Sequence, residues 1–202
     1  CGGKVQSPIN ISTNESTLSS ELNAIKVNYT TTNVDIINNG HTVQFNVSGN
    51  NTLTINDKDY KLLQFHFHAL SEHTVDGNHY PIEVHFVNKY SDSDYAVLGV
   101  MYEEGVENEL FTKYLSHFPK VNEKYTTEET ISLSNLLPEN MSYYNYNGSL
   151  TTPPCSEVVN WYVVKSSIEA SKTQIDEISE MLHKNYRPVM PLNGRKVLSF
   201  NE

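Results

Sequence analysis

Three histidines carry the strongest chemical signal in the chain. Two stand at an i, i+2 spacing in Gln64-Phe65-His66-Phe67-His68, and a third follows in Glu83-Val84-His85. In a β-strand, residues two apart face the same side. His66 and His68 therefore share a face, with Phe65 and Phe67 turned away. On the second run Glu83, His85 and Val87 share a face, with Ile82, Val84 and Phe86 opposite. If the two faces coincide in one sheet, three imidazoles converge. Three neutral nitrogens without a fourth protein ligand make the pattern of a catalytic zinc site, because the open position holds water. An H-x-H pair alone is more often an ordinary core or surface feature. The third histidine in another strand, with a carboxylate two residues before it, shifts the balance to metal. A metal-bound imidazole gives its other nitrogen to an acceptor that fixes tautomer and orientation. Glu83 is spaced to do this for His85, and the Gln64 amide for His66.

Short alternating runs must supply the strands. They include Val43-x-Phe45-x-Val47, Leu53-x-Ile55, and the stretches 63–68, 82–87, 96–101 and 158–164. Turn signals separate them at Asn38-Asn39-Gly40, Gly49-Asn50-Asn51, Asp76-Gly77 and Asn147-Gly148. The Asp76-Gly77 turn lies between the two histidine strands and predicts that they pair antiparallel. Two helices are expected. Residues 108–116 place Leu110, Phe111, Tyr114 and Leu115 on one stripe. Residues 173–184 place Ile175, Ile178, Met181 and Leu182 on another, with Asp176 completing a capping-box-like start. The expectation is a mainly β (α+β) single domain over residues 1–202. A large, mostly antiparallel, twisted central sheet would carry a few peripheral helices.

Composition narrows the partners. The net charge is -10, from 14 basic and 24 acidic residues. This argues against nucleic acid or an anionic membrane, both of which select basic patches. Mean hydropathy is -0.48, and no run of about 18 apolar residues is present to span a bilayer. Sequons at Asn28, Asn46 and Asn147 arise readily in a chain this rich in Asn, Ser and Thr. The two cysteines, Cys1 and Cys155, are open to three readings: buried thiols, a disulfide, or an acylated Cys1 with an unrelated Cys155. No signal peptide is visible, and an extracytoplasmic protein would have lost one.

Several motifs together resemble the α-class carbonic anhydrases of the bacterial extracytoplasmic type. They are Gln6-Ser7-Pro8-Ile9-Asn10-Ile11, the stretch 64–68, Ser71-Glu72-His73-Thr74-Val75-Asp76 and Glu83-x-His85. Further on come the stretch 148–155, Trp161 and Arg187-Pro188-x-x-Pro191-Leu192. They follow the family's order across nearly the whole chain. The resemblance implies the reversible hydration of CO2 to bicarbonate and a proton. It implies Zn2+ on His66, His68 and His85, acidifying a water so that hydroxide attacks CO2. It implies that Glu72, which can only accept, makes the Thr151 hydroxyl donate to it, so that the Thr151 oxygen orients the hydroxide.

The resemblance also implies a CO2 pocket at Val87, Val97, Leu150, Thr152 and Trp161, and a proton shuttle at His41, since imidazole titrates near neutral pH. Asn39 and Gln44 would line the polar wall, and His73 and Tyr146 would hydrogen-bond near Glu83. His79, His117 and His183 match no catalytic position. A Cys1–Cys155 disulfide would brace the Thr151 loop. Closing nearly the whole chain would be worth about 4–5 kcal/mol in the loop-entropy model, and it would imply an oxidising compartment, periplasmic or secreted. Sulfonamide or anion inhibitors and a homodimer are further expectations. The family usually carries a Tyr before the Gln-Ser-Pro motif, on the proton-transfer water network. Only five residues precede Gln6 here, so a different proton-transfer efficiency is expected. The short Ala69-Leu70-Ser71 link between His68 and Glu72 predicts an open rim.

A second reading from another class is a catalytically silent carbonic anhydrase-like binding module. Silent relatives have lost a zinc ligand, which this chain has not. Esterase activity would be a side reaction of the same centre.

Overall fold

The computed structural model describes residues 1–202. Its centre is a 13-stranded twisted sheet. The two histidine strands, Lys58–His68 and Ile82–Ser91, lie side by side in its middle and pair antiparallel. Val43–Val47 flanks the first of them, and Asp94–Glu104 flanks the second, both antiparallel. Three pairings are parallel: Asp94–Glu104 with Val159–Val164 and with Ile168–Ala170, and Leu198–Phe200 with Thr17–Leu18. The sheet is therefore mixed, with antiparallel neighbours in the majority.

Alternation along these strands makes two apolar clusters, one on each face. Ile82, Val84 and Phe86 join the larger one, with Leu98, Val100 and Tyr102 from the next strand. Val87, Val97, Met101, Trp161 and Val163 join the smaller. The second histidine strand is thus buried on both sides.

Register decides what the histidines meet. Phe45 pairs with Phe65, Phe65 with Phe86, and Phe86 with Leu98. The first two pairs stack at centroid distances of 4.7 and 5.3 Å. The neighbouring row, on the opposite face, runs Gln44, His66, His85, Gly99. A slip of one residue would throw the phenylalanines out of the core, so the aromatic row fixes the histidine row. A bulge at Leu63 sets the phase. Tyr60 and Leu62 face the core before it, and Phe65 and Phe67 after it. The extra residue is what sends His66 and His68 to the other face.

The link between the histidine strands is a wider excursion than a simple hairpin. Asp76 and Gly77, with φ of 49° and 80°, make a tight turn that closes Val75 on Asn78. Thr74–Val75 meanwhile pairs in parallel with Asn10–Ile11. The first helix, α1, covers Glu109–Tyr114, capped by Asn108 and followed by a 3-10 turn at Leu115–His117. The second, α2, covers Lys172–Leu182. Its capping box is formed by Ser171 and Gln174, not by Asp176. Asp176 pairs with Lys172 one turn back at 2.8 Å, and the Ser171 oxygen takes the orphan Gln174 N–H instead.

Candidate metal centre

His66, His68 and His85 each present a ring nitrogen to one spot, all within 4.8 Å of one another. His66 and His85 are directly paired across the strands, and His68 is two residues along. The remaining nitrogen of each ring is tied down. His66 Nδ1 donates to Gln64 Oε1 at 2.8 Å, and His85 Nε2 to Glu83 Oε1 at 2.9 Å. His68 Nδ1 donates to the backbone carbonyl of Asn185 at 2.8 Å. These bonds leave His66 Nε2, His68 Nε2 and His85 Nδ1 with their lone pairs toward the common point. Both partners expected from the sequence are in place. Asn185 was not expected: it lies 117 residues from His68, and no local pattern marks it.

Two buried atoms have no hydrogen-bond partner here, His68 Nε2 and Glu72 Oε2. Glu72 Oε2 lies 3.5 Å from His68 Nε2 and 3.8 Å from His85 Nδ1. Glu72 does not complete a set with His66, so the trio remains three imidazoles. Unpaired polar atoms are expensive to bury. An unpartnered imidazole nitrogen beside an unpartnered carboxylate oxygen fits a site built for a divalent cation.

Charge agrees. Burial holds the His66 pKa well below the ordinary imidazole value, with His68 and His85 adding to the effect. Burial lowers His68 as well. Both are therefore neutral, as ligands must be. Burial acts the same way on His85, but the Glu83 carboxylate, with Glu72 adding to it, outweighs burial and raises the pKa. Glu83 stays ionised: burial opposes this, and His73 and His85 together overcome it. Its other contacts are the His73 N–H at 2.8 Å and His73 Nδ1 at 2.7 Å. Tyr146 closes the chain, its hydroxyl 2.6 Å from His73 Nε2. Gly99, registered opposite His85, makes room for this carboxylate. A Cβ there would stand 2.8 Å from Glu83 Oε1.

A cavity of about 390 Å³ opens over His66 and His68, with His85 behind its wall. His41, His66, His68, Glu72, Thr151 and Thr152 all line it. Glu72 Oε1 accepts the Arg187 N–H at 2.8 Å. The expected Thr151–Glu72 hydrogen bond is not formed, because Oε2 turns toward His68 and His85 instead. Val87, Val97, Leu150 and Trp161 do not line this cavity. They pack on one another behind His85, with Trp161 4.8 Å from its ring. The register places them there: Val87, Val97 and Trp161 form one row across three strands, and Trp161 Nε1 donates to Ser149 O.

His41 is exposed at the rim, on a turn whose amides at His41 and Thr42 donate to Asn39 Oδ1. Asn39 and Gln44 are absent from the cavity wall, and Gln44 spends its amide on Asn46. His79 and His117 are surface residues, the latter stacked on Tyr125 at 4.9 Å. His183, set aside by the sequence reading, does line the cavity. Cys1 and Cys155 form a disulfide with a Cα separation of 4.9 Å. Cys155 N donates to Thr152 O, so the bridge holds the far end of the Thr151 loop.

A profile of the eukaryotic-type carbonic anhydrase family matches residues 1–201. The chain belongs to the α-class carbonic anhydrases. The carbonic anhydrase of Pectobacterium atrosepticum is 41% identical over 198 residues, covering 97% of this chain and 80% of the relative. That of Neisseria gonorrhoeae is 42% identical, covering 97% and 77%. The α-carbonic anhydrase of Thermovibrio ammonificans, solved with sulfanilamide, superposes with a TM-score of 0.92 at 42% identity, covering 97% of this chain and 87% of that one. As a carbonic anhydrase the protein is an enzyme that interconverts CO2 and bicarbonate. The family is one of zinc enzymes, and the histidine trio is one of two groups here that could hold a metal; in the other, His73, Glu83 and His85, the Glu83 carboxylate is already hydrogen-bonded to both rings.

Proposed function

We propose that His66, His68 and His85 hold a zinc ion and that residues 1–202 act as one extracytoplasmic catalytic domain. The observation that carries the metal reading is the tie on each ring: three imidazoles, each with its non-ligating nitrogen donated to an acceptor. Bound zinc supplies Lewis acidity, bringing the pKa of a coordinated water to about 7, a value already established for this class of enzyme.

The protein supplies the rest. Glu72 Oε2 can only accept, and the Thr151 hydroxyl on the same cavity is the donor that suits it. In the working site Glu72 accepts from that hydroxyl. The Thr151 oxygen is then left to accept from the nucleophile and to aim it at CO2. Glu83 and Gln64 hold the ligand tautomers. Val87, Val97, Leu150 and Trp161 exclude water from the side of His85, and Thr152 narrows the cavity beside Thr151. His41, at the rim, takes a proton from cavity water on a ring nitrogen and releases it to solvent. The disulfide supports an oxidising compartment. The sulfanilamide complex of the Thermovibrio protein supports sulfonamide binding in this cavity.

Stopped-flow hydration of CO2 with parallel metal analysis tests the assignment. His66→Ala loses both zinc and activity. Full activity without zinc would contradict it.

A further inference from the structure

Asn185 makes more connections across the site than its place at the rim requires. Its backbone carbonyl takes the His68 N–H, as described. Its side chain does something separate. Oδ1 accepts from Ala69 N at 3.0 Å, and Nδ2 donates to Phe67 O at 2.8 Å and to His41 O at 2.9 Å. The amide's oxygen and both of its hydrogens are therefore engaged. Phe67 and Ala69 flank His68, so the amide straddles that ligand and reaches across to the backbone of His41.

The chain arrives there by an unusual route. His183 and Lys184, directly after α2, both take left-handed backbone angles, with φ of 50° and 57°. Two consecutive non-glycine residues in that region persist only where the surroundings impose them. Here they deliver Asn185 to its four partners. The His41 turn needs such a tie. It passes through Gly40 at φ 81°, and the His41 side chain is exposed. Thr42 also ties the turn to this strand end, its Oγ1 donating to Phe67 O and accepting from Phe67 N, but both bonds leave the His41 carbonyl unheld.

We propose that the Asn185 side-chain amide is a positioning residue for proton release, fixing His41 relative to the strand that carries His68. The inference rests on the reading of His41 as proton carrier. Proton departure follows the release of bicarbonate. It therefore enters kcat but not kcat/KM, which covers only the steps through CO2 conversion. Asn185 thus acts on one kinetic constant and spares the other.

The experiment is stopped-flow hydration by the zinc-loaded enzyme at low buffer, repeated with added imidazole. The variants are Asn185→Ala, His41→Ala and the double substitution. Asn185→Ala lowers low-buffer kcat by about three- to tenfold, the scale of one lost hydrogen bond. Imidazole restores it, and kcat/KM changes by less than about twofold. In the His41→Ala background the same substitution has no further effect. If Asn185→Ala slows that background as much as the parent, or lowers kcat and kcat/KM together, the inference is overturned. If His41→Ala slows turnover and Asn185→Ala does not, only the inference falls. If His41→Ala alone leaves kcat unchanged, the proton-carrier reading falls and takes the inference with it. Should Asn185→Ala fail to fold or load zinc, Asn185→Asp keeps the acceptor for Ala69 and removes both donors, and the same outcomes decide.

Discussion

His66 and His85 stand directly opposite each other on neighbouring antiparallel strands, with ring centroids 5.3 Å apart and planes at 87°. Nearly perpendicular rings can each aim one nitrogen at a shared point without stacking. That arrangement depends on what holds each ring from behind and on the register of the strands beneath.

The support behind His85 can be removed without touching a ligand. Glu83→Gln keeps the shape but loses the charge that both His85 and His73 lean on. Loss of such an outer partner weakens metal binding by about 10- to 100-fold. Competition against a chelator measures this directly, and an unchanged dissociation constant would show that Glu83 is not the anchor.

The register can be tested from the opposite face. Phe65 is fully buried between Phe45 and Phe86. Phe65→Ala leaves a cavity and removes both stacks, at a cost of about 3–5 kcal/mol. Urea denaturation of the metal-free protein should show a loss of that size. A loss below about 1 kcal/mol would mean that the aromatic row does not set the register.

Acid sensitivity has an identifiable contributor at the N-terminal strap. The Glu157 carboxylate accepts from Gln6 Nε2 at 2.8 Å and from Val5 N at 2.7 Å, and these bonds lower its pKa below 4.5. A carboxyl lowered on folding contributes stability above its ordinary pKa and loses it as pH falls toward the folded value. The wild type should therefore melt above Glu157→Gln at pH 7, and the gap should close as pH drops below 4.5. A gap that persists unchanged in acid would assign the effect to something other than the charge.

The sequence and the structure agree where the strand period alone decides. His66 and His68 share a face because the period of two holds between them, and Gln64 and Glu83 are near enough in sequence to be read as supports; the bulge at Leu63 that turns this face toward His85 was not legible. The CO2-pocket residues were harder. Val87, Val97, Leu150 and Trp161 are the right types for an apolar wall, but the row that joins Val87, Val97 and Trp161 beside His85 is set by a register across three strands. Asn185 was illegible, because its work depends on two left-handed residues that no local pattern announces. The capping box went to Ser171 and Gln174 because α2 is capped two residues earlier than a box completed by Asp176 requires. Thr151 and Glu72 share the cavity as the family resemblance implies, while the placement of the Glu72 oxygens, one on the Arg187 N–H and one toward His68 and His85, depends on partners distant in sequence.

Anomalous diffraction at the zinc edge, on crystals of the protein purified without added metal, tests the central claim most directly. The account predicts one peak about 2.0–2.1 Å from His66 Nε2, His68 Nε2 and His85 Nδ1, with a solvent molecule as the fourth neighbour. A peak that takes the Glu72 carboxylate as a fourth ligand, or one that misses any of the three imidazoles, would contradict it.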